Sequence, residues 1–259
     1  MAWLLTLLSG ASVGVTLSLV GGGGSILAVP LMMHVLGVSS PHVAIGTTAV
    51  AVTANALANL ALVARRNVIK WRCAALFAGS GVAGAAAGAA LGKHTNGDYL
   101  LAMFGLLMIV VGILMFRPRA TEGNPQVHLD RQSASHLAPR LVGLGVSTGA
   151  VSGFFGIGGG FLIVPALILA TGMPMLMAVT SSLVAVAAFG LTTAASYAFA
   201  GLVNWKLAAL FILGGVIGGV FGSRLAARVA ANKHLLARIF GALVIAVGLY
   251  VCIAGRPGP

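Results

Sequence analysis

The chain is a succession of long uncharged stretches separated by short polar segments. No charged side chain occurs between Met1 and Ala64 or between Leu141 and Trp205. Because about 20 apolar residues span a bilayer as an α-helix, the pattern predicts an all-α polytopic membrane protein. The apolar runs are Ala2–Val20, Ile26–Leu36, Val43–Ala64, Cys73–Gly92, Tyr99–Phe116, Leu141–Phe155, Phe161–Ala170, Met175–Val203, Leu207–Gly222 and Ile239–Gly255.

The composition supports this interpretation. The 259 residues are 59% hydrophobic and 7% charged, with a mean hydropathy of +1.07, whereas about 25% of the residues of a soluble domain are charged. The net charge of +12 comes from basic residues in short loops, a pattern typical of membrane topology rather than of nucleic-acid binding. Cys73 and Cys252 lie far apart without a CxxC motif, so neither a disulfide nor a metal site is predicted. We therefore expect the lipid bilayer as a partner, no nucleic acid and no cofactor.

The chain repeats itself on either side of one polar segment. Pro30 matches Pro165 and Trp71 matches Trp205 at a nearly constant offset, which chance similarity between apolar segments would not maintain. We therefore predict an internal duplication. Its parts are a first transmembrane repeat (1–116), a cytoplasmic linker (117–138) and a second transmembrane repeat (139–259).

Loop charge predicts that the two repeats have opposite orientations. The loop 65–72 of the first repeat carries four basic residues, whereas the matching loop of the second carries only Lys206. The order is reversed in the next loop, where the first repeat has Lys93 and the second has four basic residues within 224–238. Because cytoplasmic loops carry an excess of Lys and Arg, matched loops are expected on opposite sides of the membrane.

Inverted repeats require an odd number of membrane crossings in each repeat. Three transmembrane helices plus one re-entrant helical hairpin, which turns at a glycine cluster, satisfy this requirement. The linker is then cytoplasmic and both termini are external. The alternative is eight full spans in parallel repeats, which would place one basic loop of each matched pair on the wrong side.

Each repeat has a glycine cluster directly before a run too short to span the membrane. The clusters are Gly21–Ser25 and Gly156–Gly160. In lipid, a break in a helix is tolerated only inside protein or beside a cavity, and paired breaks indicate a transporter binding site. A helix N-terminus presents unpaired N–H groups and a partial positive charge, which suit an anion. We therefore predict an anion site near the midplane where the two half-helix N-termini meet, with a purely structural tight hairpin as the alternative.

Polar side chains follow each glycine cluster at the same distance. Thr47 and Thr48 match Ser181 and Ser182, and these hydroxyls either donate to the anion or bond back to their own helix. Asn55 and Asn59 follow one turn apart on the helix of the threonines, where they either contact the anion or pack between helices. The predicted substrate-binding residues are Gly21, Gly23, Gly24, Ser25, Thr47, Thr48, Asn55, Gly156, Gly158, Gly159, Gly160, Ser181 and Ser182, with no catalytic residue.

Two sets of glycines spaced by four residues are assigned to structure and not to the site. The glycines spaced by four residues favour close helix packing in lipid. Ser25 lacks the following glycine of a nucleophile elbow, so an intramembrane hydrolase is only an alternative, as is a membrane scaffold protein. The spaced glycines are Gly84, Gly88 and Gly92, and Gly214, Gly218 and Gly222.

The segment from Gly156 to Pro165 has the pattern GxGGGxxxxP, which resembles the signature of the sulfite exporter TauE/SafE family. The first copy differs at Gly22 and Ser25, and the resemblance covers the chain outside the linker. It implies a multi-pass transporter of the bacterial inner membrane that exports sulfite, thiosulfate or an organosulfur anion such as sulfoacetate. Import of another small anion is the alternative, and the resemblance leaves open whether the protein is a monomer or a homo-oligomer.

Overall fold

The fold is described by a computed structural model for residues 2–20, 25–64, 69–116, 131–156, 160–229, 241–242 and 244–251. Four helices in these ranges are long and apolar enough to cross a membrane, and no β-strand occurs in them. The all-α, multi-pass fold class is therefore confirmed. The helices are α1 (Ala2–Val20), α2 (Ala28–Pro30), α3 (Pro41–Val63), α4 (Trp71–His94), α5 (Gly97–Phe116), α6 (Arg131–Phe155), α7 (Gly160–Thr171), α8 (Met175–Phe199) and α9 (Trp205–Val229), and the helical residues 241–251, with a gap at 243, follow them.

Both runs that follow the glycine clusters form short helices. In the first repeat, Ser25–Val35 is a helical segment that contains α2 and continues as a π-helix over Leu31–Val35. In the second repeat, α7 is a regular helix of 12 residues. At a rise of about 1.5 Å per residue, neither segment is long enough to cross a hydrocarbon core of about 30 Å.

Helix α6 begins before the apolar run Leu141–Phe155 from which it was predicted. The helix begins at Arg131, inside the segment 117–138 that the sequence assigned to the linker, and it contains Pro139. A proline removes only one helical hydrogen bond, so a helix can continue through it where packing on other helices stabilises it. The polar residues before Pro139 extend the helix beyond its apolar run. The rest of the linker, residues 117–130, lies outside the described residues.

The first helix of each repeat packs against the third long helix of the other repeat. Helix α1 lies along α9, and a β-carbon added at Gly218 would overlap the carbonyl oxygen of Ala11. Helix α6 lies along α4, and a β-carbon added at Gly84 would overlap the carbonyl oxygen of Val146. These contacts show that the spaced glycines serve helix packing. They also show that the first helix of each repeat packs on a helix of the other repeat.

The centre of the molecule is the pair α3 and α8, which match each other in the two repeats. The beginning of α3 lies beside the end of α8, because Thr47 contacts Asn204. The end of α3 lies beside the beginning of α8, because Lys70 contacts Ser181. The two matched helices therefore run antiparallel.

Lys93, near the end of α4, and Lys206, at the start of α9, lie at one end of the molecule. The Nζ of Lys93 donates to the carbonyl oxygen of Ser196 at 3.3 Å, near the end of α8, and Lys206 follows α8 in the first turn of α9. At the same end, the Nε2 of His42 lies 3.1 Å from the carbonyl oxygen of Thr95. Lys70 and Arg72, at the start of α4, lie at the opposite end.

This placement sharpens the topology prediction. We expect Lys93 and Lys206 to be external and Arg66 and Arg131 to be cytoplasmic, because the basic-rich loops face the cytoplasm. Single cysteines at these four positions, in a background without Cys73 and Cys252, should react accordingly with a membrane-impermeant reagent in intact cells. Reaction of positions 93 and 206 from opposite sides would contradict the inverted arrangement.

Candidate functional site

The structure describes only a few residues of the two glycine clusters. Ser25 is fully buried at the beginning of the first half-helix, and Gly160 is the first residue of α7. The predicted site residues Gly21, Gly23, Gly24, Gly158 and Gly159 lie outside the described residues. The anion site between the two half-helix N-termini therefore stays a prediction.

Gly156 shows which helix lies against the second glycine cluster. It directly follows α6 with φ of 65°, a left-handed conformation that favours glycine at the end of a helix. A β-carbon added there would overlap the Cγ2 of Ile45 on α3. The hydroxyl of Thr48 donates to the carbonyl oxygen of Ile45 at 3.0 Å, so Thr48 is one turn away. The hydroxyl pair of the first repeat thus lies near the glycine cluster of the second.

Two matched hydrogen bonds join the repeats, and we call them the inter-repeat clamps. The Thr47 hydroxyl accepts a hydrogen bond from the backbone N–H of Asn204 at 2.9 Å. The matching Ser181 hydroxyl accepts from the backbone N–H of Lys70 at 3.0 Å. Asn204 and Lys70 directly precede α9 and α4, where the first N–H groups have no partner within the helix. Each clamp therefore satisfies a helix terminus of the opposite repeat.

Three of the four hydroxyls of these pairs donate to carbonyl oxygens of their own helices. Thr47 also donates to the carbonyl oxygen of Val43 at 2.6 Å, and Ser182 donates to that of Val179 at 2.8 Å. Thr48 bonds to Ile45 in the same way. Among the described residues, only the hydroxyl proton of Ser181 has no acceptor in this set. Direct contact between the pairs and a substrate stays a prediction.

Removing the clamps should reduce stability. We expect Thr47→Val and Ser181→Ala each to lower the free energy of unfolding by about 1 kcal/mol, because each leaves a backbone N–H without its acceptor. The clamps join opposite ends of α3 and α8, so the double variant should lose about the sum of both values. Thermal unfolding of purified protein without substrate measures these losses.

Thr48→Val is the matched control, because the Thr48 hydroxyl bonds only within its own helix. We expect its stability to change by less than about 0.5 kcal/mol. Unchanged stability of Thr47→Val together with weaker anion binding would contradict the clamp and assign Thr47 to the substrate.

Asn55 is the predicted site residue with an unusual environment. Its side chain is fully buried, and neither Oδ1 nor Nδ2 has a hydrogen-bond partner. The hydroxyls of Ser152 and Tyr197 are also buried and unpartnered, and sequence reasoning missed both. A signal existed, since the matching positions in the other repeat hold apolar residues, Leu17 for Ser152 and Val63 for Tyr197.

An open cleft of about 470 Å³ lies at the end of the molecule where α9 begins. It adjoins the Thr47 clamp, since Asn204 takes part in both. Lys206 gives it a positive charge, which favours the approach of an anion. The residues that line the cleft are Val43, Gly201, Val203, Asn204, Trp205 and Lys206.

The comparisons with known proteins agree with this architecture. Residues 6–251 match the family described as "Sulfite exporter TauE/SafE". Proteins from two strains of Xylella fastidiosa, each named "Probable membrane transporter protein", are 52% identical over 96% of this chain and 94% of their own length. "Probable membrane transporter protein YunE" of Bacillus subtilis is 28% identical over 83% of this chain and 85% of its own length. No solved structure matches the chain. The chain therefore belongs to the sulfite exporter TauE/SafE family, and it is a multi-pass bacterial membrane protein.

Proposed function

We propose that the protein exports a small sulfur-containing anion, such as sulfite, thiosulfate or sulfoacetate, across the bacterial inner membrane. The observation that carries the proposal is the presence, in a member of this family, of two half-helices that each follow a glycine cluster in the sequence. Helix N-termini attract anions without any charged side chain. The chain between Met1 and Ala64 and between Leu141 and Trp205, where both clusters lie, has no charged side chain.

The packing of the helices supports alternating access between inverted repeats. Matched helices α3 and α8 run antiparallel at the centre, and the long helix of each hairpin, α1 or α6, packs on the other repeat. Two halves of opposite orientation can exchange their conformations, which opens a central site first to one side and then to the other. The anion would then bind between the two glycine clusters in both states.

The test is anion binding by the purified protein. We expect sulfite, thiosulfate or sulfoacetate to bind more tightly than sulfate or carboxylates. Gly159→Leu should weaken the binding by about 10- to 150-fold, because one charge-assisted hydrogen bond contributes about 1.5–3 kcal/mol. Flux into inside-out vesicles, compared with flux into right-side-out vesicles, separates export from import.

Gly143→Leu is the matched control in the same repeat, since a β-carbon there meets nothing within 4 Å. We expect this variant to bind the anion like the wild type. If Gly159→Leu folds and binds the anion normally, the glycine cluster is structural and the proposed site is wrong.

A further inference from the structure

Asn55 and its match in the other repeat, Phe189, each pack over a glycine of a neighbouring helix. A β-carbon added at Gly215 of α9 would overlap the Asn55 carboxamide, so the amide occupies the space above this glycine. A β-carbon added at Gly81 of α4 would overlap the ring of Phe189 in the same way. Asn55 and Phe189 match each other in the two repeats, as do Gly215 and Gly81. The two positions therefore have the same packing role.

The chemistry of the two matched positions differs. Phe189 is fully buried and stacks on Phe77 with ring centroids 6.1 Å apart. An apolar side chain is thus sufficient to fill this space above a glycine. Asn55 instead buries two N–H donors and one acceptor without partners, which destabilises the folded protein. Packing alone therefore does not explain why an asparagine occupies this position.

The neighbouring Asn59 shows that the fold can satisfy a buried amide here. Its Nδ2 donates to the backbone carbonyl oxygen of Asn55 at 2.9 Å. Its Oδ1 accepts a hydrogen bond from the Ser18 hydroxyl at 2.8 Å. Asn59 is therefore a structural link between α1 and α3. The Asn55 side chain, one turn away, makes no such link.

The position of Asn55 connects it with the candidate anion site. Ile45, Thr48, Val52 and Asn55 are spaced by three or four residues, so they lie along one side of α3. Ile45 packs against Gly156 of the second glycine cluster. Asn55 lies further along the same side, near the middle of α3. An anion held at the second glycine cluster would therefore lie on the side of α3 that carries Asn55.

We propose that the Asn55 carboxamide binds the transported anion, and that it selects anions that also carry a hydrogen-bond donor. The Nδ2 group can donate to an anionic oxygen, whereas Oδ1 can only accept. An anion without a proton donor would leave Oδ1 buried, unpaired and close to negative charge. A hydroxyl-bearing sulfonate or a singly protonated oxyanion satisfies both atoms. This inference rests on the proposed function, because it names the class of anion that the same transporter takes.

The test compares two anions that differ by one hydroxyl group, 2-hydroxyethanesulfonate and ethanesulfonate. We expect the purified wild-type protein to bind the hydroxysulfonate about 10-fold more tightly, since one additional hydrogen bond contributes about 1.4 kcal/mol. In Asn55→Leu, we expect the two affinities to become equal. Thermal unfolding of Asn55→Leu without anion should show unchanged or increased stability, because the leucine removes the unpaired buried amide.

Phe189→Leu is the matched control, because it changes packing at the equivalent position without changing polarity. We expect this variant to keep the 10-fold preference. Equal affinities in the wild type, or an unchanged preference in Asn55→Leu, would overturn the inference. Binding of any sulfur anion by the wild-type preparation decides the proposed function separately, because a protein that binds both sulfonates with equal affinity overturns only the inference, whereas one that binds no sulfur anion overturns the proposed function.

Discussion

Replacing Gly88 with leucine should leave little folded protein, because it separates two helices that pack backbone to backbone. A β-carbon at Gly88 would overlap the carbonyl oxygen of Ala150 and lie 2.8 Å from the backbone nitrogen of Phe154 on α6. Overpacking costs about 1–3 kcal/mol when neighbouring side chains can adjust, and we expect more here because the neighbours are backbone atoms. Such a loss is a large part of the 5–15 kcal/mol that stabilises a typical protein. Size-exclusion chromatography and thermal unfolding in detergent measure the loss.

The same helix provides the control. Gly79 is exposed on α4, and a β-carbon there meets nothing within 4 Å. Gly79→Leu should therefore unfold at the wild-type temperature, within about 0.5 kcal/mol of the wild-type stability. Similar behaviour of the two leucine variants would mean that the glycines of α4 do not determine its packing against α6.

The spacing of the glycines predicted this packing face, but it could not identify the partner helix. A small-residue pattern shows which side of a helix permits close approach, and any helix with a complementary surface can occupy it. The match of α4 is α9, and their partners are α6 and α1, each from the opposite repeat. Which helices pack against each other depends on the path of the whole chain. Local periodicity carries no information about that path.

The elements themselves were largely predictable. Apolar runs placed α3, α4 and α8 close to their observed ends, because helices in lipid follow the length of the apolar segment. The start of α6 was not predictable in this way. Outside the apolar run, polar residues that tolerate a helix do not fix where it begins, and α6 extends to Arg131.

The sequence predicted candidate site residues from residue type and spacing, and it could not predict their hydrogen bonds. The duplicated spacing identified Thr47 and Ser181 as special, but their acceptor role toward backbone N–H groups of the other repeat depends on tertiary contacts. Asn55 was predicted as a substrate-binding residue. That its amide is buried without a partner follows only from the positions of α3 and α9.

Because the first helix of each repeat packs on the other repeat, the motions of the two repeats are linked. The α6–α7 hairpin, which contains the second glycine cluster, packs on α4 and contacts Ile45 of α3, both in the first repeat. A displacement of α3 relative to α8 therefore moves the surface against which the second cluster lies. The clamps at the two ends of α3 and α8 couple this displacement to the starts of α9 and α4. We expect the two glycine clusters to move in a coordinated way for this reason.

Membrane voltage alone should drive anion efflux through the reconstituted protein. Carriers coupled to protons or sodium commonly place Asp or Glu within the membrane, whereas Asp98, in the first turn of α5, is the single carboxylate among the described residues and is exposed. Exporting one negative charge from a negative-inside compartment releases about 2.3 kcal/mol per 100 mV, which corresponds to a gradient of about 50-fold. A divalent anion gains about twice that energy. We expect a potassium diffusion potential to produce anion flux in proteoliposomes without a pH or sodium gradient.

Reversing the imposed potential should reverse the flux, and liposomes without protein give the background. Flux that ignores voltage but requires a proton gradient would contradict uncoupled transport, and it would direct attention to two histidines. The Nδ1 of His34 lies 3.2 Å from the carbonyl oxygen of Pro30, and its ring packs edge-on against Tyr250. His42 contacts Thr95 at the end of α4. Replacing each histidine with glutamine would then show which one carries the proton, because glutamine keeps a polar contact but does not titrate.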